Sequence, residues 1–76
     1  MVDRTRVAER ARERRRAIGL RREDVAVRAG VSSTTVDNLE QGKRLPRIET
    51  LDRIAEVLGV PLADLLAARS QLAVAA

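Results

Sequence analysis

Four glycines, at positions 19, 30, 42 and 59, each close a segment whose apolar residues recur at helical spacing. A chain cut in this way can fold into little except a set of short helices. Glycine takes the left-handed conformation just past a helix end at no steric cost, so its place after a periodic stretch marks a stop. The helices expected on this basis run from about Asp3 to Ile18, Arg22 to Ala29, Ser33 to Gln41 and Arg47 to Leu58, with Pro61 opening a fifth. They make one domain over residues 1–68, and residues 69–76 are expected to form a short tail. No strand pattern or internal repeat competes with this division.

The chain has 76 residues and no Phe, Tyr or Trp, so its core must be built from Leu, Ile, Val and Ala. A domain of this size hides only about 60 to 65% of the surface its unfolded form exposes, so each apolar group counts. The expected core residues are Val7, Ala8, Ala11 and Ile18 in the first helix and Val25, Ala26 and Ala29 in the second. Ile48, Leu51, Ile54, Ala55 and Leu58 follow in the fourth, and Leu62, Leu65 and Leu66 in the fifth. The first helix is thinly apolar, so the stems of its arginines are expected to help dock it. Leu62, Leu65, Leu66 and Leu72 have a second reading as dimer contacts, although a minimal domain needs such groups for its own core.

The absent residue types narrow the function. Without cysteine there is no disulfide or thiolate metal site, and without histidine the commonest metal ligand and general base is missing. Ser32, Ser33 and Ser70 have no histidine to activate them, and the carboxylates are not clustered for hydrolysis, so neither an enzyme nor a cofactor is expected. Met1 leads into Arg-rich sequence with no apolar stretch of signal or membrane length, and a cytoplasmic protein with no membrane partner is the expectation.

The formal net charge is +4, unevenly spread. Residues 1–22 hold nine Arg against three acids, residues 23–48 four basic against four acidic groups, and residues 49–76 two against four. A basic excess at one end favours a polyanion; its bland alternative is a solvated Arg-rich helix face.

Between the second and third helices, Gly30 and Val31 form a turn and Ser32 stands where an N-cap belongs. With Val36 of the third helix set inward, Thr34, Asn38 and Gln41 lie opposite, at about 160°, 200° and 140° on a helical wheel, with Asp37 and Thr35 at the flanks. This outer face is short, polar and rich in amides and hydroxyls, the groups that read base edges in the DNA major groove. Thr34, Thr35 and Asn38 are indifferent helix formers and odd choices for a merely solvated face. Ser and Thr near a helix start also occur simply as caps. Asp37 would repel phosphates unless it accepts from a cytosine N4 amine or pairs with a neighbouring arginine.

Glu40 falls beside Val36 on the inward side, where an unpaired charge would cost several kcal/mol. Arg15, at the border of the apolar stripe of the first helix, is the expected partner, since its fork can hold a carboxylate bidentately.

The pattern G-L-x-x-E-x-V-A-x-x-A-G-V-S-x-x-T-V-x-x-L-E-x-G-x-R-x-P, from Gly19 to Pro46, resembles the phage-repressor and Cro-like helix-turn-helix family, also called Xre-like. The likeness continues through E-T-L-x-x-I-A-x-x-L-G-V, from Glu49 to Val60. It implies an all-α, five-helix bundle of the lambda-repressor-like kind, in which helices 2 and 3 form the DNA-binding pair. It also supports the Arg15 to Glu40 pair. Carried over by position, Ser33, Thr34 and Asn38 resemble base readers, with Asp37 and Gln41 beside them, while Arg22, Thr35, Lys43 and Arg44 resemble phosphate contacts. Two residues depart from the family pattern. Arg22 replaces a Gln that anchors the DNA backbone and buttresses the reading helix, and is expected to keep the anchoring without the buttress. Arg21 replaces a Ser or Thr cap, so the second helix is expected to start raggedly, at a cost of about 1 kcal/mol.

These readings converge on a sequence-specific regulator of transcription that binds double-stranded DNA, a repressor acting as a homodimer on a palindromic operator. The first helix would add a basic field that speeds encounter. The rival reading is a protein-interaction module, such as an antitoxin covering a toxin or the target of an anti-repressor, whose docking face would carry large exposed apolar groups. RNA binding is disfavoured because aromatic stacking platforms are missing.

Overall fold

The computed structural model describes residues 3–66. Five helices follow in order: α1 (Arg4–Ala17), α2 (Arg22–Ala29), α3 (Ser33–Glu40), α4 (Ile48–Leu58) and α5 (Leu62–Leu66). Their ends lie within a residue or so of those expected from the sequence, and the reason is local. At every glycine φ is between 70° and 75°. In each case the residue after the glycine donates its N–H to the carbonyl five positions back: Leu20 to Arg15, Val31 to Ala26, Lys43 to Asn38 and Val60 to Ala55, at 2.9 to 3.1 Å. This is the six-to-one bond of a Schellman stop, which a residue with a Cβ closes only with strain. At the opposite ends, Asp3 accepts from the Thr5 N–H and Ser32 from the Thr35 N–H, so α1 and α3 begin on side-chain caps.

The core is aliphatic. Val7 and Ala11 from α1, Val25, Ala26 and Ala29 from α2, Val36 and Leu39 from α3, Leu51, Ile54, Ala55 and Leu58 from α4, and Leu65 from α5 form one buried cluster. Helix α4 supplies its centre and packs against α1, α2 and α5, while α2 and α3 lie against each other. Two expected core residues are exposed instead: Ile18 at 37% and Ile48 at 53%. Ile18 sits on the cap just past α1, and Ile48 is the first residue of α4, so both lie where the chain turns away from the bundle. Leu65 is fully buried, and Leu62 and Leu66 pack against the cluster, which places these leucines in the domain's own core. Leu72, Ser70 and the expected tail lie outside the described residues.

Val7, Ala8 and Ala11 are the buried residues of α1, and its guanidinium heads also tie it to neighbouring elements. Arg12 donates to the Glu40 carbonyl at the end of α3, and Arg14 to the Leu58 carbonyl at the end of α4, both at 2.8 Å. Arg10 meets Asp64 of α5 at 2.7 Å, and Arg4 donates to the Lys43 carbonyl at 2.8 Å. Helix ends carry unpaired carbonyls and partial negative charge, which a cation both satisfies and offsets. Arg4, Arg10, Arg12, Arg14 and Arg15 of α1 thus bond groups on neighbouring elements, whereas Arg6 and Arg16 are exposed.

Candidate nucleic-acid interface

The left-handed Gly30 ends α2, and the Ser32 cap starts α3 two residues later, so the two helices are locked into a tight helix-turn-helix. Val36, Leu39 and Glu40 of α3 are buried. The remaining side is left to Ser33, Thr34 and Gln41, all exposed, and to the half-buried Thr35, Asp37 and Asn38. The sequence-derived reading face is therefore the solvent face of α3.

Glu40 is the buried acid of that helix, and Arg15 faces it. Nε of Arg15 lies 2.7 Å from one carboxylate oxygen and Nη2 2.9 Å from the other, while Nη1 donates to the Leu20 carbonyl at 2.9 Å. One guanidinium thus ties α1, the turn before α2 and the end of α3. The Glu40 carboxylate holds Arg15 still more firmly protonated than usual.

The start of α2 differs from its expected ragged form. Arg21 has no acceptor with which to cap α2, but Asp24, three residues on, accepts from the Arg21 N–H at 2.9 Å and from its guanidinium at two points of 3.2 Å. The guanidinium, and after it the N–H, holds the Asp24 carboxyl below the usual carboxylate range. A carboxylate in the first turn also meets the positive end of the helix dipole.

Arg22, the first residue of α2, was expected to lack the buttress. It reaches α3 instead: Arg22 Nη1 and Asp37 Oδ1 are 3.4 Å apart, and both side chains are almost half exposed. The arginine is longer than the glutamine it replaces and finds its partner on a residue whose charge called for one.

Lys43 and Arg44 are exposed in the loop after α3. Their N–H groups converge on the Asn38 carbonyl at 3.0 and 3.4 Å, and Gly42 packs over the backbone of Thr5. Arg44 also lines an open cleft of about 560 Å³ between the helix-turn-helix and the start of α4, in which Ser32, Thr35 and Asn38 come together with Arg47, Thr50 and Arg53. Lys43 is not among its lining residues. Reading the sequence missed Arg47, Thr50 and Arg53. Thr50 and Arg53, three apart on α4 and clear of the stripe Leu51, Ile54, Ala55 and Leu58, were the available signal.

The helix-turn-helix family HTH_3 matches residues 12–65. The chain belongs to that family. As an HTH_3 domain it carries the helix-turn-helix DNA-binding unit in α2 and α3. It is 40% identical over 60 residues to the HTH-type transcriptional regulator DdrOP3 of Deinococcus deserti, covering 79% of this chain and 46% of that protein. To the HTH-type regulator RghRB of Bacillus subtilis it is 42% identical, over 80% of this chain and 45% of the other. A 47-residue match at 38% identity links it to the transcriptional repressor RstR of the cryptic phage CTXphi of Vibrio cholerae, over 62% and 42% of the two chains. The chain thus spans less than half the length of these relatives. Among solved structures, the clp gene regulator ClgR of Corynebacterium glutamicum superposes with a TM-score of 0.82 at 25% identity, over 97% of this chain and 80% of that one. These relatives are transcriptional regulators, which leaves the antitoxin alternative without support. Among the described residues no helix is long and apolar enough to cross a membrane.

Proposed function

We propose that this HTH_3 domain regulates transcription, as a repressor, by reading a specific sequence in the major groove with α3. The observation that carries the proposal is the division of α3 into a buried side, Val36, Leu39 and Glu40, and an outer side of small amides and hydroxyls. Asn38 and Gln41 offer the paired donor and acceptor that match adenine, and Ser33 and Thr34 offer hydroxyls and a methyl group for thymine. Asp37 adds an acceptor. Phosphates fall to Arg22 at the start of α2 and to Lys43 and Arg44 after α3, with the Thr35 hydroxyl at the rim. The cleft lined by Arg44, Arg47 and Arg53 suits the adjoining backbone strand, since three arginines are among the residues that line it.

A reading helix of this length spans only a half-site, which supports a homodimer on a two-fold operator with half-sites about 34 Å apart. Selection from a random pool of duplex DNA tests the proposal. The expected result is an enriched motif with two-fold symmetry; recovery of random sequence alone would overturn base reading. Matched RNA offered in competition is expected not to displace the duplex.

A further inference from the structure

Asp37 is the one acidic side chain on the outer side of α3, and a carboxylate there is a liability beside DNA phosphates unless it is neutralised and given a donor to bind. The structure supplies the first condition. Arg22 Nη1 stands 3.4 Å from Asp37 Oδ1, across the gap between α2 and α3. The closest approach is between one nitrogen of the guanidinium and one oxygen of the carboxylate. The second carboxylate oxygen can accept from a base, and the other guanidinium nitrogens can donate to a phosphate. Both groups are reachable, with side chains 47% and 42% exposed.

We propose that Arg22 and Asp37 act as one unit that links a DNA phosphate to a cytosine: Arg22 bonds the phosphate and orients Asp37, whose free oxygen accepts from the cytosine N4 amine. An acceptor-only group in the major groove needs a donor, and the amine of cytosine is the partner carboxylates take there. The pairing also explains how an acid is tolerated on this face, since Arg22 offsets its charge. It makes backbone docking and base discrimination interdependent, so a residue that touches no base controls base preference. The proposal rests on α3 being the reading helix.

Motif selection from a random duplex pool, followed by anisotropy titration of fluorescein-labelled duplexes, tests it with the full chain, Asp37→Asn, Arg22→Ala and the double variant. The full chain is expected to require cytosine at one position by about 5- to 150-fold, the span of one good side-chain to base contact. Asp37→Asn should lose that requirement and bind unrelated duplex more tightly, because a negative charge is removed. Arg22→Ala should lose the same cytosine requirement as well as general affinity, and the double variant should lose little discrimination beyond either single change. If Arg22→Ala weakens all duplexes equally and keeps the cytosine preference, or if Asp37→Asn selects the wild-type motif, the unit does not exist although α3 still reads DNA. If the full chain selects no motif, the reading helix and the unit both fall. Circular dichroism melting of each variant, expected to match the full chain, separates these outcomes from misfolding.

Discussion

Arg15 and Glu40 meet fork to fork, at 2.7 and 2.9 Å, in the seam between α1 and α3, with side chains only 12% and 5% exposed. A pair this dry is weak evidence for net stability, because both charges have lost water. It is strong evidence for mutual dependence, since neither charge can be left there alone.

Removing one partner should therefore be costly. Arg15→Ala is expected to destabilise the domain by about 3 kcal/mol, the cost of leaving a buried carboxylate unpaired. Arg16→Ala, one residue along on the exposed side of α1, should stay within about 0.5 kcal/mol of the full chain. Urea unfolding followed by circular dichroism checks both, and equal small losses would remove the structural role assigned to the pair.

The start of α2 should carry an acid-side signature. Asp24 ionises below its usual range when folded, held there by Arg21, so the unfolded chain binds its proton at higher pH than the folded one. The stability it contributes is complete above about pH 5 and fades as pH falls through the unfolded carboxylate value of about 3.9 towards the lower folded one. Asp24→Asn is thus expected to lower Tm near neutral pH, with the gap to the full chain closing in acid. A gap of constant size from pH 7 to pH 3 would show that the carboxylate's charge is not what holds this end.

Base reading and phosphate anchoring should separate cleanly between α3 and its following loop. Asn38→Ala is expected to weaken binding to a selected site by about 1 to 3 kcal/mol and to relax preference at one base pair. Arg44→Ala should weaken all duplexes alike and lower the slope of log affinity against log salt by about 1. Anisotropy of labelled DNA measures both, since the chain has no tryptophan to report.

Leu65, fully buried beneath α1 and α4, should behave as core. Leu65→Ala is expected to cost about 2 to 5 kcal/mol by leaving a cavity. Sedimentation at a temperature where the variant is folded should give the association state of the full chain. A change in association with unchanged monomer stability would return this leucine to a dimer face.

The helices and their stops were legible because the causes lie within a few residues: an apolar period, and a glycine able to close the bond back to the carbonyl five earlier. The outer face of α3 was legible for the same reason, since a wheel needs only the chain itself. Even the Arg15 to Glu40 pair could be inferred, because a carboxylate forced inward demands a cation and few were placed to reach it.

Other contacts had no such local cause. That Arg12 and Arg14 would turn onto the last carbonyls of α3 and α4, that Arg22 would reach Asp37, and that Arg47 and Arg53 would line one cleft with Asn38 depend on how the helices cross. Long cationic side chains have many partners within reach in an unfolded chain. Packing of the aliphatic core fixes the distances between helix ends, and those distances select which acceptor each arginine meets. The order of helices, their ends and the polar face of α3 follow from the residues in line; the partners of Arg12, Arg14 and Arg22 follow from the bundle.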